Sequence, residues 1–159
     1  MFKFLARFAS RSVDPKVEAL RALAHGDYAA AEGGFDALLD APDVTPSERA
    51  FLLNKRGVTR VHMASLDAAR GDFEAALQVR PRFAPALANL GNLLLEAGRP
   101  SDAVTQYEAA IAADDAYAIA YLNLGVAYRR LGRLDESVRA LRKAQRLEGG
   151  VRWKPSRRA

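Results

Sequence analysis

His25 and His62 are the only two side chains in this 159-residue sequence that ordinarily titrate near neutrality. A catalytic site needs a nucleophile, a base and an orienting group converging on one pocket. Neither histidine has a metal-ligand partner at useful helical spacing, and His62 could at most join Glu96 or Arg60 in a polar cluster. The absence of cysteine excludes disulfides, thiolate zinc sites, iron–sulfur clusters and thiol catalysis. Gly33-Gly34 lies inside a predicted helix and lacks the strand context and Lys of a phosphate loop. The carboxylate pairs Asp114-Asp115 and Asp135-Glu136 fall at helix starts or inter-helix turns, where acids meet positive helix ends. These residues predict no enzyme, no metal and no cofactor.

The elements that would position any site are helical. Half the residues are apolar and 32 are Ala, which favours closely packed helices over sheet. No apolar run approaches the ~18 to 20 residues of a membrane span. A period of 34 residues organises the chain, seen by aligning Gly57, Gly91 and Gly125. The same period relates Ala64, Gly98 and Gly132; Ala69, Ala103 and Ser137; Phe73, Tyr107 and Leu141; and Ala76, Ala110 and Ala144. Small columns predict close approach of two antiparallel helices within each unit, and the large column is expected to fill the space between one hairpin and the next. Turn signals at Ala97-Gly98-Arg99-Pro100 and Leu131-Gly132-Arg133 separate the helices. A first unit is placed by Gly26-Asp27-Tyr28, Ala31, Phe35 and Leu38; its 38-residue offset from Ala31 to Ala69 leaves about four extra residues in 41–49. There Thr45-Pro46-Ser47-Glu48 reads as a capping box with a first-turn Pro, so the next helix should start early and run long.

These columns resemble the tetratricopeptide repeat family. The family pattern is a Leu-Gly pair and a large residue in helix A, then Ala, aromatic and Ala in helix B. It stands here as Leu90-Gly91, Leu94, Ala103, Tyr107 and Ala110, and as Leu124-Gly125, Tyr128, Ser137, Leu141 and Ala144. The second unit keeps Gly57, Ala69, Phe73, Ala76 and the closing Pro81, and departs at Arg56 and Arg60, where the family has Leu and an aromatic. The resemblance implies an all-α, right-handed superhelical solenoid of about four hairpins, at residues 13–45, 50–83, 84–117 and 118–148. Residues 1–12 and 149–159 are expected to be basic extensions.

In the family, helix A of each unit lines a concave groove. The groove positions carried over are Phe51, Asn54, Val58, Val61 and His62 in the second unit. In the third they include Asn92, Leu95 and Glu96, and in the fourth Ile119, Leu122, Val126, Arg129 and Arg130. The resemblance thus implies a non-catalytic protein–protein interaction module, an adaptor, scaffold or assembly factor. Its partner would be a peptide or helix that inserts apolar side chains and points an acidic group toward the fourth unit. Val58 and Val126 read equally well as packing residues. Leu20 stands where a chaperone-tail clamp would place Asn, which argues against that variant.

The net charge of +5 divides into +3 over residues 1–16, −5 over 17–138 and +7 over 139–159. Wound as a helix, residues 1–12 place Lys3, Arg7 and Arg11 on one side and Phe2, Phe4, Leu5 and Phe8 on the other, a pattern for solenoid capping, a membrane surface, a docking partner or a targeting peptide. Trp153 among cations is a second candidate for docking to a membrane or partner. A peripheral membrane scaffold is therefore the alternative to a cytoplasmic adaptor. Nucleic-acid binding would rest on Arg139–Arg158 alone and lacks interleaved aromatics and base-reading side chains. A homo-oligomer is a further possible assembly.

Overall fold

The computed structural model describes residues 13–149. Among them are eight helices and no strand: α1 (Pro15–His25), α2 (Tyr28–Leu39), α3 (Pro46–His62), α4 (Leu66–Val79), α5 (Ala84–Glu96), α6 (Pro100–Ala113), α7 (Ala118–Arg130) and α8 (Leu134–Glu148). They pair in order into four antiparallel hairpins, as the repeat period predicts. The segment carrying Phe2, Phe4, Leu5 and Phe8, and the one carrying Trp153, lie outside the described residues.

Local chemistry sets the helix ends. At α1 the Asp14 carboxylate accepts from the Lys16 N–H at 2.9 Å, and at α2 Asp27 accepts from Ala30 N–H at 3.2 Å. The capping box forms at α3, where Glu48 N–H donates to Thr45 Oγ1 at 3.3 Å and Thr45 N–H to Glu48 Oε2 at 3.4 Å. That cap starts α3 early and makes it the longest helix described, at 17 residues. Between the helices of each hairpin one residue turns left-handed: Gly26, Ala64, Gly98 and Gly132, at φ of 80°, 59°, 72° and 72°.

Packing within hairpins explains the aligned glycines. A Cβ built on Gly91 would lie 2.5 Å from the Tyr107 ring, and one on Gly57 equally close to Phe73. The large column expected to fill the gap between hairpins therefore sits first over its own hairpin's glycine. Tyr107, Phe73 and the Ala columns are fully buried there, where close-packed apolar surface contributes most to stability.

The first helices of successive hairpins touch, α3 on α5 and α5 on α7, while the second helices stand apart. The stack therefore curves with α3, α5 and α7 on its concave side and α4, α6 and α8 on its convex side. On the convex side Arg56 and Arg60, the two departures from the repeat pattern, reach across to α2. Arg56 Nη1 meets Asp36 at 2.6 Å, Arg60 Nε meets Glu32 at 2.7 Å, and both arginines hold the buried Asp72 of α4. An ionic seam replaces an apolar one between the first two hairpins.

Candidate functional site

The concave face is built by two asparagine bridges. Asn89 Nδ2 donates to Asn54 Oδ1 at 2.9 Å, tying α5 to α3, and Asn123 Nδ2 donates to Asn92 Oδ1 at 2.8 Å, tying α7 to α5. Tyr107 also donates its hydroxyl to Asn92 Oδ1 at 2.8 Å. Burial of that phenol pushes its pKa up to about 12, with Glu96 adding to the shift and Arg130 opposing it. Asn54 is buried, so this groove position serves repeat stacking first. Asn92 keeps its amide N–H groups, because both of its bonds fall on the oxygen.

A cavity of about 410 Å³ opens between α3 and α5. Val58, Val61 and His62 form one wall, Asn92, Leu93 and Glu96 the other, and Leu66 and Phe73 of α4 close one side. Five of the sequence-derived groove residues thus converge on one space. His62 is held there by a parallel stack on Tyr28, with ring centroids 4.9 Å apart, which joins the first hairpin to the second. Val61 of the cavity wall, and beyond the cavity Ile119 and Leu122, are exposed apolar side chains. At the other end of α3 the Phe51 ring carries two ammonium groups, Lys16 at 5.1 Å and Lys55 at 5.4 Å from its centroid.

Tetratricopeptide repeat family models match residues 57–80 and 88–150. The chain belongs to the tetratricopeptide repeat family. Its fold is similar to TTC0263, a thermophilic tetratricopeptide repeat protein of Thermus thermophilus, with a TM-score of 0.73 and 21% identity over 84% of this chain and 73% of that one. It is similar to MamA (41-end) from Desulfovibrio magneticus RS-1, at a TM-score of 0.66 and 25% identity over 84% and 73%. It is also similar to the first tetratricopeptide repeat domain of Spaghetti (RPAP3), solved bound to the HSP90 peptide SRMEEVD, at a TM-score of 0.61 and 20% identity over 68% and 85%.

Within this tetratricopeptide solenoid the carried-over positions separate into two kinds. Leu95 is buried and Val126 half-buried in the core of the third and fourth hairpins, so these two stack repeats, whereas Val58 is half-buried against the core of the first two hairpins and also lines the cavity. The expectation that Leu95 offers an open apolar surface is corrected here, because its repeat is followed by another that covers it. Arg130 is also partly committed: its Nη1 donates to the Leu95 carbonyl at 2.7 Å and its Nη2 lies 3.5 Å from Glu96. Arg129 is exposed and in no ion pair among the described residues. The tetratricopeptide pattern by itself did not mark the Phe51 lysine pair or the Tyr28 stack, since Lys16 and Tyr28 belong to the first hairpin and approach the second only in three dimensions. Among the described residues no cluster of His, Asp and Glu could hold a metal, and no helix is long and apolar enough to cross a membrane.

Proposed function

We propose that this tetratricopeptide repeat protein, a protein-interaction module, is a non-catalytic adaptor or assembly factor that holds a partner peptide or helix against the concave face. The observation that carries this reading is the cavity between α3 and α5, apolar on its Val58, Val61 and Leu93 sides and edged by His62, Asn92 and Glu96. A pocket of this size takes one or two large apolar side chains, and the exposed Ile119 and Leu122 continue its surface toward the fourth hairpin. Lys16 and Lys55 at one side and Arg129 at the other favour a partner that carries acids next to its apolar anchors. Peptide binding by similar solenoids supports the reading: a relative is solved with an HSP90 peptide, and another, YrrB, is described as having an unusual peptide-binding site.

Site-specific photo-crosslinking in the native host tests it. A crosslinking amino acid at Val61 or Leu122 should give one shared adduct, and the same group at the convex Gln78 or Thr105 should give none. Adducts confined to the convex positions would remove the groove assignment.

A further inference from the structure

The repeat register shows which side chains meet at each hairpin junction. At the first junction Glu32 and Asp36 of α2 meet Arg60 and Arg56 of α3, at 2.7 and 2.6 Å. One repeat on, the corresponding Arg70 and Glu74 of α4 face Leu94 and Leu90 of α5 across a shared cleft. At the third, Val104 and Glu108 of α6 face Tyr128 and Leu124 of α7, with Tyr128 donating its hydroxyl to Glu108 at 2.9 Å. Each junction runs antiparallel in this one register, whatever side chains occupy it.

In the same register α8 presents Val138 and Arg142, and a further turn along, Arg146. Among the described residues nothing covers them. Val138 is 44% exposed where its counterpart Val104 is 7%. Leu134, at the start of α8, is 62% exposed. At the opposite end of the stack, α1 presents the partner positions of that register: Ala22 where Arg60 stands, Glu18 where Arg56 stands, and Asp14 where Leu52 stands. Neither Glu18 nor Arg142 has an ion-pair partner among the described residues.

We propose that the chain stacks head to tail on a second copy of itself, α8 of one copy packing on α1 of the next. The register then sets Val138 on Ala22, Arg142 against Glu18 and Arg146 against Asp14. The Arg142–Glu18 pair takes the place of the Asp36–Arg56 pair of the first internal junction with the signs of the charges exchanged. The two surfaces differ, so the contact is heterologous and leaves each end open to another copy. It lies at the ends of the solenoid, leaves the concave cavity accessible and would align the grooves of successive copies.

Sedimentation velocity on the full chain tests this. In low salt the weight-average mass should climb past that of a dimer without a plateau as concentration rises over about two decades, and fall in high salt. Glu18→Arg and Arg142→Glu each turn an attractive pair into a like-charged one, and each alone should weaken association at least about tenfold. Both sites are exposed, so both variants keep their helix content. An equimolar mixture of the two single variants restores opposite charges at every junction and should regain stacking, as should the double variant E18R/R142E. A monomer at all concentrations overturns the proposal, as does a dimer that stops growing. Association that ignores both charge reversals, or a mixture no better than its components, overturns it too.

Discussion

Arg56 and Asp72 form a forked ion pair: Nε and Nη2 of the guanidinium donate to the two carboxylate oxygens at 3.1 and 2.6 Å. Asp72 is 4% exposed and receives Arg60 Nη1 at 2.9 Å as well. The Asp72 hydrogen bonds raise the Arg56 pKa above its ordinary value against the opposing effect of burial. The network holds α4 to α3, and through Asp36 and Glu32 it holds the first hairpin to the second.

Removing one buried member strands the others. Asp72→Ala should cost about 3–5 kcal/mol in urea denaturation, because two part-buried guanidinium groups lose their shared counter-ion. The third hairpin supplies an uncharged alternative at the same positions, Leu90, Leu94 and Gln106. The triple variant R56L/R60L/D72Q should therefore be within about 1 kcal/mol of the parent or more stable. A large loss in the triple variant would mean that the ionic seam is itself the source of stability.

The sequence carried the period, the hairpin boundaries and the long third helix, because those follow from one-dimensional signals: small residues at 34-residue spacing, a capping box, turn glycines. It marked Arg56 and Arg60 as departures without their partners, since Asp72 meets them only when α4 folds back on α3, and Glu32 and Asp36 only when two hairpins stack. The groove was legible as a set of positions and not as a surface. Leu95 and Leu122 both read as apolar groove positions in the sequence, and only the three-dimensional stacking shows that Leu95 is buried and Leu122 exposed.

Two glycine substitutions should have opposite signs. Gly91→Ala sets a methyl 2.5 Å from the buried Tyr107 ring and should destabilise by about 1–3 kcal/mol. Gly33, inside α2, has open space around its would-be Cβ, so Gly33→Ala should stabilise by up to about 1 kcal/mol. Thermal melts of the two variants suffice, and equal effects would sink the packing account.

Ala64 is the one described non-glycine residue at positive φ, at the turn where the other three hairpins have glycine. An L-residue there costs about 1–2 kcal/mol. Ala64→Gly relieves that strain and should stabilise by about 1 kcal/mol, after the added freedom of the unfolded chain is subtracted. Chemical denaturation with an unchanged slope checks it.

Alkaline stability should report on Tyr107. Its folded pKa of about 12 lies above the ordinary value of 10.0, so the unfolded chain loses that proton first. The contribution is whole below pH 10 and is lost between roughly 10 and 12, amounting to about 2 kcal/mol at the upper end. Tyr107→Phe should flatten that limb while lowering stability at neutral pH by about 1 kcal/mol through the lost bond to Asn92. Tyr117 and Tyr128, also raised by burial, should leave a residual slope. Identical alkaline limbs in parent and variant would remove Tyr107 from the account.

Arg129 and Arg130, adjacent at the end of α7, should behave differently when reversed. Arg130 donates to the Leu95 carbonyl and pairs with Glu96, so Arg130→Glu should lower stability by about 1 kcal/mol as well as altering the groove. Arg129 is exposed and engages no ion pair among the described residues, so Arg129→Glu should leave melting unchanged and weaken binding of the partner identified by crosslinking by about 1–2 kcal/mol. Leu122→Asp should remove the neighbouring apolar contact at a cost of about 2 kcal/mol in binding, again without loss of fold, since Leu122 is already exposed. Titration calorimetry against that partner separates the cases. Unchanged affinity in both Arg129→Glu and Leu122→Asp, in proteins that melt like the parent, would place the partner away from the fourth hairpin.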